Sequence, residues 1–151
     1  MIARNPWLIA GGILSLLAAV LHLAVIAGGP EWYRFFGAGE EMARGAELGS
    51  PVPALVTMFI AAVLAVWAAY AFAGAGLVRR LPLMRTALVL ISSIYFLRGL
   101  VLVPVVLLYP QARAGIGSFE LWSSLVVLVY GVTYAVGTLR AWPELSRRKF
   151  A

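Results

Sequence analysis

An all-α membrane protein with four transmembrane helices is the fold class this chain predicts, and three observations predict it. Hydrophobic residues make up 63% of the chain and charged residues 12%, against roughly 45 to 50% and about 25% in soluble domains. The apolar residues fall into four long runs, and the charges gather at the ends of those runs. Each run exceeds the roughly 20 residues a spanning helix needs. A transmembrane barrel is excluded, because its strands alternate and cross in about 9 to 11 residues. All 151 residues form a single four-span domain.

The first span covers residues 6–27, with Pro6 at a first helical position, where its missing N–H costs nothing. It ends at Gly28-Gly29-Pro30. A basic start, an apolar core and Val25-Ile26-Ala27 also match the outline of a cleaved signal, but the run is longer than the about 7 to 15 residues of a signal core. The second span covers residues 51–77, opened by Ser50 as N-cap and Pro51 as first helical residue, and closed before Arg79-Arg80. The third runs over residues 82–109. Within it Pro104 removes the N–H that would bond the carbonyl of Leu100, which predicts a kink. The fourth covers residues 118–142, from Ser118 as N-cap to Trp142-Pro143.

Arginine and lysine beside the spans set the orientation. Arg4, then Arg79, Arg80 and Arg85, then Arg147, Arg148 and Lys149 share one side, whereas the first loop balances Arg34 and Arg44 against Glu31, Glu40, Glu41 and Glu47, and the third carries only Arg113. Both termini are therefore expected in the cytoplasm, with loop 28–50 outside, in a bacterial inner (plasma) membrane. The net charge of +6 follows from this topology, and no nucleic-acid partner is expected. Trp32, Tyr33, Phe35 and Phe36 predict a short interfacial helix in the first loop, serving as anchor or lid. Glu40 and Arg44 stand at i, i+4.

Ala61, Ala65, Ala69 and Ala73, with Gly74 and Gly76, give the second span a small-residue face for a neighbouring helix or a homo-oligomer partner. Gly11, Ser15 and Ala18 or Ala19 give the first span a similar row.

Arg98 is the most informative residue. An unpaired arginine at a helix centre costs roughly 2.5 to 3.5 kcal/mol, so its retention points to a partner or a function. Tyr95 is the polar neighbour on its own helix. Ser123, Tyr130, Thr133, Tyr134 and Gly137 form a partly polar stripe on the fourth span, expected to face Arg98. His22 is the titratable group of the first span, Glu31 lies just beyond its end, and Glu120 stands one turn into the fourth, where a carboxylate also complements the helix dipole. With Trp67 and Tyr70 as walls, these residues outline an outward-facing polar pocket floored by Arg98. The bland alternative is a buried hydrogen-bond network that orders the bundle.

Cysteine is absent, which excludes thiol chemistry, and no established catalytic, metal or cofactor motif occurs. No metal or cofactor is expected. In size and topology the chain resembles DoxX-like proteins and the sterol-isomerase and sigma-2-receptor group. The latter resemblance implies membrane-embedded carboxylates and a histidine around a lipid-like ligand, but here the acids lie outside the spans or at their edge, so no residue carries over. Small multidrug transporters share the four spans and rely on a glutamate in the first helix, where this chain has His22.

Three functions follow from these residues. One is binding or transport of an amphipathic anionic or lipid-like ligand, with Arg98 meeting the headgroup and Tyr95, Glu31, Tyr130, Tyr134 and Trp67 lining the site. Another is a membrane enzyme on a lipid-like substrate, with His22 and Glu120 exchanging protons. The last is an accessory subunit with an internal Arg-Glu salt bridge.

Overall fold

The computed structural model describes residues 4–108, 111 and 117–145. The expected ends at Tyr109-Pro110, together with Arg113, Arg147, Arg148 and Lys149, lie outside the described residues. Helices in chain order are α1 (Pro6–Gly28), α2 (Pro30–Phe35), α3 (Glu40–Glu47), α4 (Val52–Gly74), α5 (Met84–Leu100), α6 (Leu102–Leu108) and α7 (Ser118–Leu145). No strand occurs among the described residues. Four helices are long and apolar enough to cross a membrane, namely α1, α4, α5 continued into α6, and α7. The protein is an integral membrane protein.

Local chemistry sets the helix ends. α1 starts at an N-cap: Asn5 Oδ1 accepts from the N–H groups of Trp7 and Leu8 at 3.2 and 3.3 Å, satisfying two of the four free donors of a helix start. α4 stops three residues short of the expected end because Gly76, at φ +76°, takes the left-handed position of a Schellman motif. The N–H of Leu77 reaches back to Phe72 O at 2.9 Å and that of Gly76 to Ala73 O at 3.1 Å. Pro82 does not open α5; Leu83 follows it in left-handed backbone at φ 53°, so regular helix begins at Met84. Pro104 ends α5 at Leu100, and α6 resumes after Val101.

By contacts the chain divides into two compact units, one of Met1–Leu14 and Trp67–Ala151, the other of Ser15–Val66. In the first unit α5 and α7 pack at close range. A Cβ placed on Gly99 would lie 2.6 Å from Leu128 Cγ and 3.0 Å from its backbone N, and one on Gly131 would lie 3.3 Å from the backbone N of Phe96. The start of α1 lies against the ends of α4 and α7: Leu8, fully buried, fills the space above Gly74 and Gly137. Asn5 Nδ2 donates to Gly137 O at 2.7 Å. In the second unit Val25 of α1, Tyr33 of α2 and Ala43 of α3 form a small core with Phe36, Met42 and Ala46.

The expected small-residue row of α1 is buried at Gly11, Ser15 and Ala19. On α4 Ala61, Leu64, Ala68, Ala71 and Ala73 are buried, so the expected row is buried at Ala61 and Ala73, while Ala69 is half-buried and Ala65 is exposed. Steps of four drift about 40° per turn from a 3.6-residue helix, so a strict i+4 row cannot stay on one face.

Gly99→Ala is expected to lower the thermal midpoint in detergent, with a loss of about 1 to 3 kcal/mol, because the backbone of Leu128 cannot move aside as a side chain can. Circular dichroism melts check this, and an unchanged midpoint would contradict the close contact.

Candidate functional site

Arg98 stands in the last turn of α5, not at the middle of a regular helix. Val101, still in right-handed helical backbone at φ −57°, separates α5 from α6, and the Leu100 carbonyl that Pro104 leaves without its N–H donor lies two residues beyond Arg98. Counting from Met84 at 1.5 Å per residue, Arg98 lies roughly 21 Å along the helix. Its side chain is exposed. Nη1 donates to Ser124 Oγ of α7 at 3.4 Å, and among the described residues no carboxylate pairs with it.

The tyrosine stripe of α7 meets Tyr95 instead of Arg98. The Tyr95 ring, buried, packs edge-on to Trp67 at 4.9 Å between centroids and to Tyr130 at 5.4 Å, and tilted against Tyr134 at 5.4 Å. Tyr134, fully buried, donates its hydroxyl to Trp67 O at 3.0 Å, which gives the phenol the partner that burial demands. Three residues on, Arg98 is turned about 60° from Tyr95 around the helix, enough to carry it out of the aromatic cluster to the surface. Ser123, which the stripe includes, donates to its own helix at Glu120 O, 3.1 Å away. The contact falls to Ser124, buried and one position on. A serine one residue off the tyrosine row gives no sequence signal of that role.

Glu120 is exposed and folds back over the start of α7: a Cβ on Gly117 would lie 2.5 Å from its Oε2. This is the dipole-complementing placement of a first-turn carboxylate. Arg98, Ser124, Tyr95, Trp67, Tyr130, Tyr134 and Glu120 all belong to the first unit.

His22 and Glu31 belong to the second unit. His22 is half-buried, with Nδ1 2.7 Å from Ala18 O; since a carbonyl only accepts, Nδ1 carries the proton in this contact. Glu31, exposed, pairs with Arg34 of the same helix at 3.0 Å. Arg34 is the centre of a larger arrangement. Its Nε and Nη2 hold both oxygens of Glu40 at 3.0 Å each, and Nη2 also donates to Glu47 at 2.7 Å. One guanidinium thus ties α2 to both ends of α3, in the planar bidentate geometry that only arginine offers. The i, i+4 spacing of Glu40 and Arg44 points to a different pair; Arg44 acts on Glu40 only through its charge. The Tyr33 hydroxyl is buried with no hydrogen-bond partner among the described residues, and its ring packs with Val25 and Ala43.

Comparison of the chain with protein-family models, curated proteins and solved structures finds no match.

Hydrogen bonding to Arg34 holds the Glu40 carboxyl below the ordinary carboxylate range, and the same bonds, with those of Glu47, raise Arg34. A lowered carboxylate pKa stabilises the fold above the unfolded value of roughly 4.3, and that contribution is lost as pH falls through the folded value. The protection of α2 and α3 amides from hydrogen exchange, relative to their intrinsic rates at each pH, is therefore expected to fall selectively below about pH 4. Arg34→Gln should return Glu40 to the ordinary carboxylate range in a carboxyl NMR titration. Loop protection factors that stay constant between about pH 3 and 6 would contradict the arrangement.

Proposed function

We propose that this membrane protein binds an amphipathic anionic ligand, a lipid or lipid-like phosphate or carboxylate, laterally at Arg98 and Ser124 near the end of α5 and the start of α7. The observation that carries this is an exposed arginine in a membrane-spanning segment whose described partner is a neutral hydroxyl. A guanidinium satisfied by one long hydrogen bond keeps most of its five donors for an acceptor, and in the hydrocarbon layer the available acceptor is a ligand headgroup or the interface to which the side chain snorkels. Exposed Leu97, Val101, Leu121 and Leu125 lie within a turn of the two polar groups and suit an acyl or isoprenoid chain. Transport by this site is the larger form of the same proposal.

In this proposal the end bearing Arg79, Arg80 and Arg85 lies in the cytoplasm, as do both termini, and α2 and α3 lie at the outer face of a plasma membrane. Exposed Trp32 and Phe35 of α2 and Leu48 after α3 support an interfacial position, where aromatic side chains settle at headgroup depth. His22 and Glu120 are left outside the binding site, since each already serves its own helix.

The test is photo-crosslinking of the full chain in neutral detergent with lysophosphatidic acid carrying a reactive group beside its phosphate. Modification of α5 and the first turns of α7 is expected, about tenfold weaker in Arg98→Ala, as loss of charge-assisted hydrogen bonds requires. Arg98→Lys should retain part of the yield, and a lysophosphatidylcholine probe should react weakly. Equal yields from wild type and a folded Arg98→Ala protein would overturn the proposal.

A further inference from the structure

The opposite end of the first unit gathers arginine and tryptophan from three helices and the connection between α4 and α5. Arg80 donates to Glu144 O, and Arg85 Nη2 donates to Trp142 O at 2.9 Å. The Arg85 guanidinium also covers the Trp142 ring, 4.3 Å from its centroid. Arg140, one turn before Glu144 on α7, lies over the Trp7 ring of α1 at 5.3 Å. Two of these arginines have a structural explanation, because the last carbonyls of a helix lack partners and attract cations.

Arg140 and Arg79 have no such explanation. Both are exposed, and neither bonds to or pairs with a described carboxylate or carbonyl; the described contact of Arg140 is the indole face. A contact with a ring face uses none of a guanidinium's N–H donors in conventional hydrogen bonds, so those donors stay open to bidentate capture of a phosphate. Arg4, Arg79, Arg80, Arg85 and Arg140 stand against Glu144 as the described charges of this end. Leu83 and Leu139, highly exposed, flank Pro82 and Arg140, so the ligand that fits has an apolar part beside its anion.

We infer that Arg140, set over the Trp7 ring, and Arg79, next in the chain to Arg80, which bonds Glu144 O one turn from Arg140, form a second binding site, for the phosphate headgroup of an anionic membrane lipid at the basic end of the first unit. It is independent of the Arg98 site: different residues make it, and helix ends place it at headgroup depth instead of within the hydrocarbon layer.

The experiment is native mass spectrometry of the full chain in the Arg98→Ala background, released from micelles doped with phosphatidylglycerol or with phosphatidylcholine. Retention of phosphatidylglycerol over phosphatidylcholine is expected. Arg79→Gln with Arg140→Gln should weaken it by about 20-fold, about 5-fold per arginine near the anionic surface, while Arg140→Lys keeps most of the binding. Circular dichroism establishes folding, and Arg79→Gln alone, a change at an exposed side chain, gives a second reading of about 5-fold should the double variant unfold. Undiminished phosphatidylglycerol retention in either folded glutamine variant, or equal retention of both lipids, would overturn the inference. Displacement of the lipid by millimolar inorganic phosphate would overturn its restriction to lipid, and resistance to phosphate would support it.

Discussion

Close backbone approach of α5 and α7 is the contact on which the described architecture of the larger unit depends. In lipid there is no hydrophobic gain from pressing two apolar helices together, so packing and hydrogen bonding must hold them. Gly99 and Gly131 allow the approach, each leaving room that a side chain would occupy. That approach brings the Tyr95 ring into the edge of Tyr130 and against Tyr134, and the Arg98 guanidinium to Ser124. The aromatic cluster and the polar contact are consequences of one spacing, three residues apart on α5 and six to ten on α7.

Pro104 gives Arg98 its meaning. Without that proline, a continuous helix would carry the arginine through its interior, with every carbonyl used. With it, the regular hydrogen bonding of α5 is interrupted two residues beyond Arg98, and the Leu100 carbonyl without its N–H donor adds a local attraction for the cation. Part of the cost of retaining the charge is thereby offset by the helix itself. A buried salt bridge is not needed to explain the residue, and the described carboxylates do not supply one. Among the described residues most of the guanidinium's hydrogen-bonding capacity has no partner, and that capacity is what the proposed headgroup would use.

The charges of the chain are handled in two different ways. Around α2 and α3, one arginine is saturated by three glutamates within the loop, an arrangement that orders the segment and leaves little field behind it. At the basic end, arginines outnumber acids and are laid on indole rings and helix carbonyls, which keeps a strong field facing outward. A short pair of helices with a small core gains order from such crosslinks, whereas the basic end carries the charge on which the proposed attraction to anionic headgroups rests.

The four spans, their approximate limits, the kink at Pro104 and the asymmetry of charge are legible in the sequence, because hydropathy, proline and arginine act locally and need no partner to be read. Helix ends moved inward where a left-handed residue intervened, at Gly76 and Leu83, and α7 runs past its expected end at Trp142, through Pro143 to Leu145. The site was legible in part. Arg98, Tyr95, Tyr130, Tyr134 and Trp67 are readable as polar or aromatic residues out of place, but periodicity alone put Arg98 among the tyrosines, since a 60° turn between Tyr95 and Arg98 is smaller than the width of a helix face. The choice of Ser124 over Ser123, of Arg34 over Arg44 as the partner of Glu40, and of Arg140 over Trp7 was made by tertiary structure. Each depends on the distance between segments far apart in the chain, and no local rule of spacing contains that distance.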